Sequence, residues 1–118
     1  MPARAILPAA LALALLAAGC GSSEDPPPGA KLLSFKLTDE GCEPHDAKVP
    51  AGPVTFEAEG ASSSVTEIEV LEGETIVGEK EDLTEGLTGS FTLTLEPGRY
   101  TLRCKGGSDE DGTLTVTG

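Results

Sequence analysis

The 118-residue chain has no Trp, a single His at position 45, and no glycine loop of the kind that cradles a phosphate. The missing Trp removes a hallmark of immunoglobulin domains. Tyr100 also stands four residues before Cys104, whereas a tyrosine corner places it two before. The serine run at 62–64 is interpreted as a loop, because no base stands beside it. We therefore expect neither an immunoglobulin domain nor an enzyme.

Positive charge is also scarce, since 8 Lys and Arg face 20 Asp and Glu, for a net charge of -12. This balance argues against nucleic acid and against electrostatic attraction to anionic lipid. It suits cationic partners, including metal ions, but an acidic surface also simply keeps an exported protein soluble. Residues 109–112 lack the remaining ligands of a calcium loop and are interpreted as a solvated turn. Glu79, Glu81 and Asp82 are interpreted as a solvated strand edge.

No hydrophobic run is long enough for a permanent membrane span. The longest, residues 6–18, has 13 residues, against about 20 for a spanning helix. With Arg4 in front and small residues before Cys20, it predicts a secretory signal peptide at 1–20. The small-small-Cys ending resembles a bacterial lipobox, so we expect an exported chain lipidated at Cys20. An ordinary signal peptide, or a free Cys after an apolar start, are the alternatives.

Residues 21–30 predict a tether, and residues 31–118 predict one small domain. The first stretch has three consecutive prolines and no apolar side chain larger than Ala, so it cannot bury enough surface to offset its ordering entropy. The domain is near the size at which a core alone gives modest stability. The chain has three cysteines. If Cys20 is lipidated, Cys42 and Cys104 remain as an even pair in a compartment that permits disulfides.

From Lys31 onward the sequence alternates with a period of two and shows no sustained helical period, which predicts an all-β sandwich or Greek-key barrel of about seven or eight strands. The predicted strand faces are Leu33, Phe35 and Leu37; Val54, Phe56 and Ala58; Ile68 and Val70; Ile76 and Val77; Phe91, Leu93 and Leu95; Tyr100, Leu102 and Cys104; and Leu114 and Val116.

Cys42 follows the first strand, and Cys104 ends the strand that contains Tyr100. If those two strands are neighbours, both sulfurs meet at one end of the barrel. Two outcomes then stay open. One is a disulfide, and the other is a thiolate pair that binds a soft or borderline metal with help from carboxylate or imidazole.

Several segments together resemble the EfeO-type cupredoxin-like domain. They are residues 39–44 (DEGCEP), 49–52 (VPAG) with Thr55 and Phe56, 67–73 (EIEVLEG), 95–104 (LEPGRYTLRC) and 112–116 (GTLTV). They follow the family's order through nearly all of residues 31–118. The resemblance implies a cupredoxin-like Greek-key β-sandwich in an extracytoplasmic protein that handles iron or copper.

The resemblance also implies a metal site at Cys42, Glu67 and Cys104. Asp39 and Glu69 match nearby acidic positions, and His45 is an additional candidate ligand particular to this chain. A type 1 copper site needs two His and a Cys, usually with an axial Met. Because the chain has one His, and its only Met is Met1, it is not expected to be an electron-transfer copper protein.

Two functions follow as expectations. The first is a lipid-anchored metal-binding module for uptake, delivery or chaperoning of copper or iron, with an envelope transport protein as its expected partner. The second is a metal-free sandwich, stabilised by a disulfide between Cys42 and Cys104, that docks onto another envelope protein. For the first function Glu67 must reach the sulfurs, although its alternation with Ile68 also suits a solvated strand carboxylate.

Overall fold

The computed structural model describes residues 26–118, which form two packed β-sheets with no helix among them. The predicted all-β sandwich is confirmed. In chain order the strands are β1 (Lys31–Leu37), β2 (Cys42–Glu43), β3 (Ala47–Pro50), β4 (Gly52–Gly60), β5 (Ile68–Glu72), β6 (Thr75–Lys80), β7 (Thr88–Leu95), β8 (Gly98–Arg103) and β9 (Asp111–Thr117).

The described residues contain nine strands, where the sequence predicted about seven or eight. The additional ones are short: β2 has two residues and β3 has four. A period of two cannot be recognised over so few positions, so alternation alone does not reveal them. Both matter to the architecture, because β2 carries Cys42 and β3 forms an edge of a sheet.

The four-stranded sheet has the order β2-β1-β4-β7, and the five-stranded sheet has the order β3-β9-β8-β5-β6. β1 and β4 are parallel neighbours, as are β3 and β9. Parallel neighbours cannot be joined by a hairpin, so after β2 the chain crosses to the other sheet, forms β3, and returns as β4. These crossings tie the two sheets together.

The predicted inward faces supply most of the core between the sheets. Phe56 lies at its centre, fully buried, with its ring centroid 6.3 Å from that of Phe35 and 5.0 Å from that of Phe91. Stacked rings at these distances add to the stabilisation from their buried area. The other buried apolar residues are Leu37, Cys42, Val49, Val54, Ala58, Val65, Ile68, Val70, Leu71, Leu83, Leu95, Tyr100, Leu102, Cys104, Leu114 and Val116.

The turn between β7 and β8 is held by Tyr100, whose hydroxyl donates a hydrogen bond of 3.0 Å to the carbonyl oxygen of Glu96. The spacing of Tyr100 from Cys104 differs from that of an immunoglobulin tyrosine corner. Its phenol nevertheless makes the same kind of bond, back to the main chain a few residues upstream.

The predicted signal peptide and Cys20 lie outside the described residues, as does the first half of the predicted tether, 21–25. Its second half, residues 26–30, contains a turn in which the Ala30 amide donates to the carbonyl oxygen of Pro27 at 3.1 Å. Within residues 26–118, no helix is long and apolar enough to cross a membrane.

One side of the sandwich closes where β6 packs against β7, and Gly78 permits that approach. A Cβ atom at Gly78 would lie 2.8 Å from Leu93 Cδ1 and 2.8 Å from Phe91 Cε2. Real Cβ atoms do not come this close to other heavy atoms, so a side chain here would displace the side chains of Leu93 and Phe91 or push the two strands apart.

We therefore expect Gly78→Ala to lower the free energy of unfolding by about 1–3 kcal/mol, the usual cost of overpacking. Urea unfolding followed by far-ultraviolet circular dichroism measures this. Thr75→Ala, at an exposed position of the same strand, serves as the control and should change little. In a Leu93→Ala background the cost of Gly78→Ala should shrink, and an unchanged cost would count against this packing explanation.

Candidate functional site

The sulfurs of Cys42 and Cys104 meet at one end of the sandwich, where they form a disulfide, with the two Cα atoms 5.2 Å apart. The sequence tied this convergence to a pairing of β1 with the Tyr100 strand, and that pairing is absent. β1 lies between β2 and β4, whereas β8 lies between β9 and β5 in the other sheet. The sulfurs meet across the gap between the sheets instead, so the disulfide joins the sheets covalently.

Three loops cover this end, at residues 38–41, 61–67 and 104–110. Asp39 in the first loop forms hydrogen bonds with the other two. The Ser62 hydroxyl donates to Asp39 Oδ1 at 2.5 Å. In the main chain, the Ser108 amide donates to the Asp39 carbonyl oxygen at 3.2 Å, and the Asp109 amide donates to that of Glu40 at 2.8 Å. The structure thus gives Asp39, an expected additional ligand, a part in loop packing.

A Cβ atom at Gly41 would lie 2.6 Å from the Asp109 carbonyl oxygen, and the φ angle there is 141°. Only glycine adopts this backbone readily while allowing such a close approach. The turn between β1 and β2 can therefore press against the 104–110 loop.

His45 lies between two aspartates near the disulfide. Its Nδ1 is 3.2 Å from Asp46 Oδ1, and its Nε2 is 3.2 Å from Asp109 Oδ2, the latter without hydrogen-bond geometry. The hydrogen bond with Asp46, together with the charge of Asp109, raises the pKa of His45 above its ordinary value. His45 lines an open pocket of about 250 Å³ with Glu40, Cys42, Ser108 and Asp109, here called the His45 pocket.

Asp46 is fixed in turn by the chain beyond it. Its Oδ1 accepts a hydrogen bond of 2.8 Å from the Thr113 amide, and this bond is the main cause that lowers the pKa of Asp46. His45 is thereby held near Cys42 by a carboxylate that is itself anchored to β9.

Glu67 does not lie with the sulfurs. Ile68 and Val70 of β5 are fully buried, as are Leu102 of β8 and Cys104, which follows that strand. Glu67 and Glu69 alternate with Ile68 and Val70, so they point to the outer face of the five-stranded sheet. The structure therefore brings together only two members of the set expected from the resemblance, Cys42 and Cys104.

Glu67 instead belongs to a group of carboxylates on that outer face. One carboxylate oxygen from each of Glu67, Glu79 and Glu81 lies within 4.8 Å of the others, the only such group of three or more potential ligands within residues 26–118. Glu69 adjoins it, pairs with Glu79 across the strands, and forms a side-chain hydrogen bond with Glu67. These four residues are here called the carboxylate cluster.

A β-bulge creates this cluster. Leu71 and Glu72 pair with Ile76 and Thr75, but between Val70 and Leu71 the register shifts by one residue. Without the shift, Glu69 would face Gly78 rather than Glu79. Sequence reasoning selected Glu67 and Glu69 but interpreted Glu79 and Glu81 as a solvated edge. The available signal was the Glu-x-Glu pattern on both strands of one hairpin.

On the side of β8, the carboxylate cluster is next to a basic residue, Arg103. Glu69 is only 4% exposed and pairs with Arg103 on β8. Arg103 donates from Nε to Asp111 Oδ1 at 2.6 Å and from Nη2 to Asp111 Oδ2 at 2.9 Å. This bidentate pair raises the pKa of Arg103 and lowers that of Asp111.

The crowding of carboxylates perturbs Glu67 most. Its hydrogen bond with Glu69, its burial, and the charges of Glu69 and Glu81 raise the pKa of Glu67 to about 7, with Lys105 opposing the shift. A carboxyl group with this pKa is partly protonated near neutral pH. A bound cation replaces such a proton effectively, because it neutralises several carboxylates at once.

The fold and this sequence define a cupredoxin-like protein. The profile of the family described as "Cupredoxin-like domain" matches residues 7–116, and the chain belongs to that family. Among solved structures, reduced auracyanin from Roseiflexus castenholzii superposes with a TM-score of 0.64 at 17% identity, covering 76% of this chain and 100% of its own. The metal binding domain of the Cu(I) exporting P-type ATPase CopA of Streptococcus pneumoniae gives 0.60 at 19% identity, with 81% and 94% covered.

Within that family the chain is of the EfeO type. It is 39% identical over 90 residues to the iron uptake system component EfeO of Yersinia pestis, and 33% identical over 86 residues to that of Escherichia coli K12. These alignments cover 75% and 73% of this chain but 24% and 23% of the relatives. The chain thus spans about a quarter of the length of the curated relatives it matches.

The fold by itself does not assign an activity. A copper-containing nitrite reductase from Thermus scotoductus also superposes, with a TM-score of 0.56 at 17% identity, over 80% of this chain and 25% of that chain. Enzymes and non-enzymatic proteins therefore share this sandwich.

A type 1 copper centre does not fit the residues present. Such a centre needs a free Cys thiolate and two imidazoles. Here Cys104 is bonded to Cys42, and the sole imidazole of the sequence, His45, has both nitrogens directed at aspartates. No step through such a centre follows from this site.

The disulfide yields a stability prediction. It closes a sequence separation of 62 residues, for which the chain-entropy relation gives about 4 kcal/mol. We expect reductant to lower the free energy of unfolding by about that amount, measured by urea unfolding, with a mass gain of two hydrogens. The Cys42→Ser/Cys104→Ser variant should have the same free energy of unfolding as the reduced protein, and reductant should not change it. An unchanged wild-type stability on confirmed reduction would contradict the estimate.

Glu67 yields a prediction on pH. Its pKa of about 7 in the folded protein exceeds the ordinary value of 4.5, so its contribution to the free energy of unfolding falls as pH rises from about 4.5 to about 7. Glu67→Gln mimics the protonated form. It should leave the melting temperature unchanged at pH 4. At pH 8 it should raise the free energy of unfolding by about 1 kcal/mol, and with it the melting temperature by about 4–8 °C.

Calorimetry at both pH values makes the comparison. Glu72→Gln, an exposed position at the far end of β5, is the matched control and should show no such difference between pH 4 and pH 8. An equal effect of Glu67→Gln at both pH values would mean that carboxylate repulsion does not act on Glu67.

Proposed function

We propose that this chain is an exported, lipid-anchored module that binds a transition metal ion, iron or copper, as cargo for uptake, delivery or chaperoning, and that it is not an enzyme. The observation that carries the proposal is the carboxylate cluster, with oxygens of Glu67, Glu79 and Glu81 within 4.8 Å of one another. The similarity of the chain to components of an iron uptake system supports iron as the cargo.

The carboxylate cluster suits a hard cation. Hard ions prefer oxygen ligands, and glutamates projecting from neighbouring elements hold iron in carboxylate proteins. Glu69 is buried and hydrogen-bonded to Glu67, so it restricts the direction of the neighbouring carboxylate. Glu79 on β6 and Glu81, which follows that strand, are exposed and leave access from solvent. Such a site binds an ion and still allows its release.

The thiols provide a separate option for copper. When reduced, Cys42 and Cys104 offer two soft ligands close together, which suit Cu(I). Asp39 and His45 lie at the same end of the sandwich, although each is engaged by protein groups. Glu67 is then a ligand of the carboxylate cluster and takes no part in the copper site.

Anchoring belongs to the same proposal. Lipidation of Cys20 after export would hold the module at a membrane surface through residues 21–30, and the relatives' membership of an uptake system favours a transport protein as the recipient of the ion. A surface rich in carboxylates attracts cations rather than nucleic acid.

A metal-free docking module is the second candidate, and the disulfide favours it. With Cys42 and Cys104 bonded, neither sulfur is available as a thiolate ligand. The acidic sandwich would then serve as a rigid surface for another envelope protein. A native disulfide that persists in metal-loaded protein, with no loss of binding in carboxylate variants, would select this function.

The metal proposal is tested by titrating oxidised protein with iron(III) citrate, iron(II) and copper(II), with free metal measured after ultrafiltration. We expect one site, which Glu67→Gln/Glu79→Gln weakens at least about tenfold, because each loses a charged ligand. Affinity should rise from pH 5 to pH 8, since ligating carboxylates must be deprotonated.

Glu72→Gln/Glu74→Gln removes the same charge from the turn between β5 and β6 and should leave the affinity unchanged. The oxidised protein and the Cys42→Ser/Cys104→Ser variant should bind iron equally well. If only the cysteine variant lost the ion, the carboxylate cluster would not be the site.

A further inference from the structure

The two cysteines of the disulfide differ in their exposure to solvent. Cys104 is fully buried, whereas Cys42 keeps 7% of its surface exposed and lines the His45 pocket. Thiol–disulfide exchange requires a thiolate to reach one sulfur of the bond, and the accessible sulfur is the one attacked. A thiol that enters the pocket from solvent therefore meets Cys42 first.

The lining of the pocket is also acidic. Of its five lining residues, Glu40 and Asp109 carry carboxylates, and none is Lys or Arg. His45 contributes at most one positive charge, and Asp46 on its Nδ1 offsets it. Electrostatic steering into a concave acidic site favours cationic ligands and repels anionic ones.

We propose that the His45 pocket is a docking site for a cationic thiol reductant, which opens the Cys42–Cys104 disulfide by attack on Cys42 Sγ. The reductant is a dithiol on a partner with positive charge around its reactive cysteine. Its pocket-facing thiolate bonds to Cys42 Sγ, the bond between the two cysteines breaks, and Cys104 leaves as a thiolate that takes a proton.

The second thiol of the partner completes the exchange. It attacks the partner's own sulfur in the mixed disulfide, so Cys42 leaves as a thiolate and is protonated. In total two electrons and two protons pass from the dithiol to this chain, and the partner becomes a disulfide. The product is a sandwich whose sheets are no longer linked by the sulfurs and which presents two thiols.

This inference does not rest on the proposed metal function. The carboxylate cluster lies on the outer face of the five-stranded sheet, and the His45 pocket lies beside the disulfide. Iron binding can fail with exchange intact, and exchange can fail with iron binding intact.

The attacked sulfur is identified by trapping. Full-length protein is treated briefly with cysteamine, a cationic monothiol, then quenched with acid and alkylated with iodoacetamide, and the peptides are mapped by mass spectrometry. We expect cysteamine on Cys42 and the alkyl group on Cys104. The reverse pattern, or an even mixture, would overturn the proposal.

The charge preference is measured from reduction rates with cysteamine, 2-mercaptoethanol and 3-mercaptopropionate, each corrected for its thiol pKa. At low salt we expect the cationic thiol to react about tenfold faster than the anionic one, and the ratio to shrink in 1 M salt. Equal corrected rates, or a ratio that salt does not change, would overturn the proposal without any variant.

Variants test whether the preference for cationic thiols arises from the His45 pocket. Glu40→Gln/Asp109→Asn should bring the ratio of cationic to anionic rates close to one, with folding verified by circular dichroism. Glu72→Gln/Glu74→Gln removes two carboxylates from the β5–β6 turn at the other end of the sandwich and should leave the ratio as in the wild type. An equal effect of both pairs would assign the preference to net charge and overturn the role of the pocket.

Discussion

The disulfide between Cys42 and Cys104 is the constraint on which one whole end of the molecule depends. It joins β2 of one sheet to the residue that follows β8 of the other. The whole sequence contains only four aromatic residues and no Trp, so a covalent link contributes a large share of a small stability. With the sheets fixed there, the loops around Asp39 and Asp109 can pack together and place His45 beside the sulfurs.

A second feature, the hairpin of β5 and β6 with its bulge, carries a different kind of chemistry on the outer face of its sheet. The side chain of Cys104 points into the sandwich, while Glu67 and Glu69 point out of it. The register shift then sets Glu69 opposite Glu79 and completes the acidic face. The soft sulfur donors thus lie between the two sheets, and the hard oxygen donors lie on the outer face of the five-stranded sheet. Redox state governs the sulfurs, and protonation governs the carboxylates.

Much of the fold could be predicted because its signal is local. The alternation of Phe35 and Leu37 in β1, or of Val54 and Phe56 in β4, states which face is buried, and the structure buries those faces. The carboxylate cluster could not be predicted, because a one-residue bulge changes every cross-strand partner without changing the alternation. The convergence of the sulfurs was expected from a sheet pairing that does not occur, since alternation says nothing about which sheet a strand joins.

The direction of β1 gives the molecule a polarity. β1 begins at Lys31 and ends at Leu37, which pairs with Cys42 at the disulfide end. The chain therefore enters the sandwich at the opposite end. The entry of the chain at Lys31 and the disulfide end, with the His45 pocket, thus lie at opposite ends of the sandwich. A partner that approaches the disulfide end therefore meets these groups without passing residues 26–30.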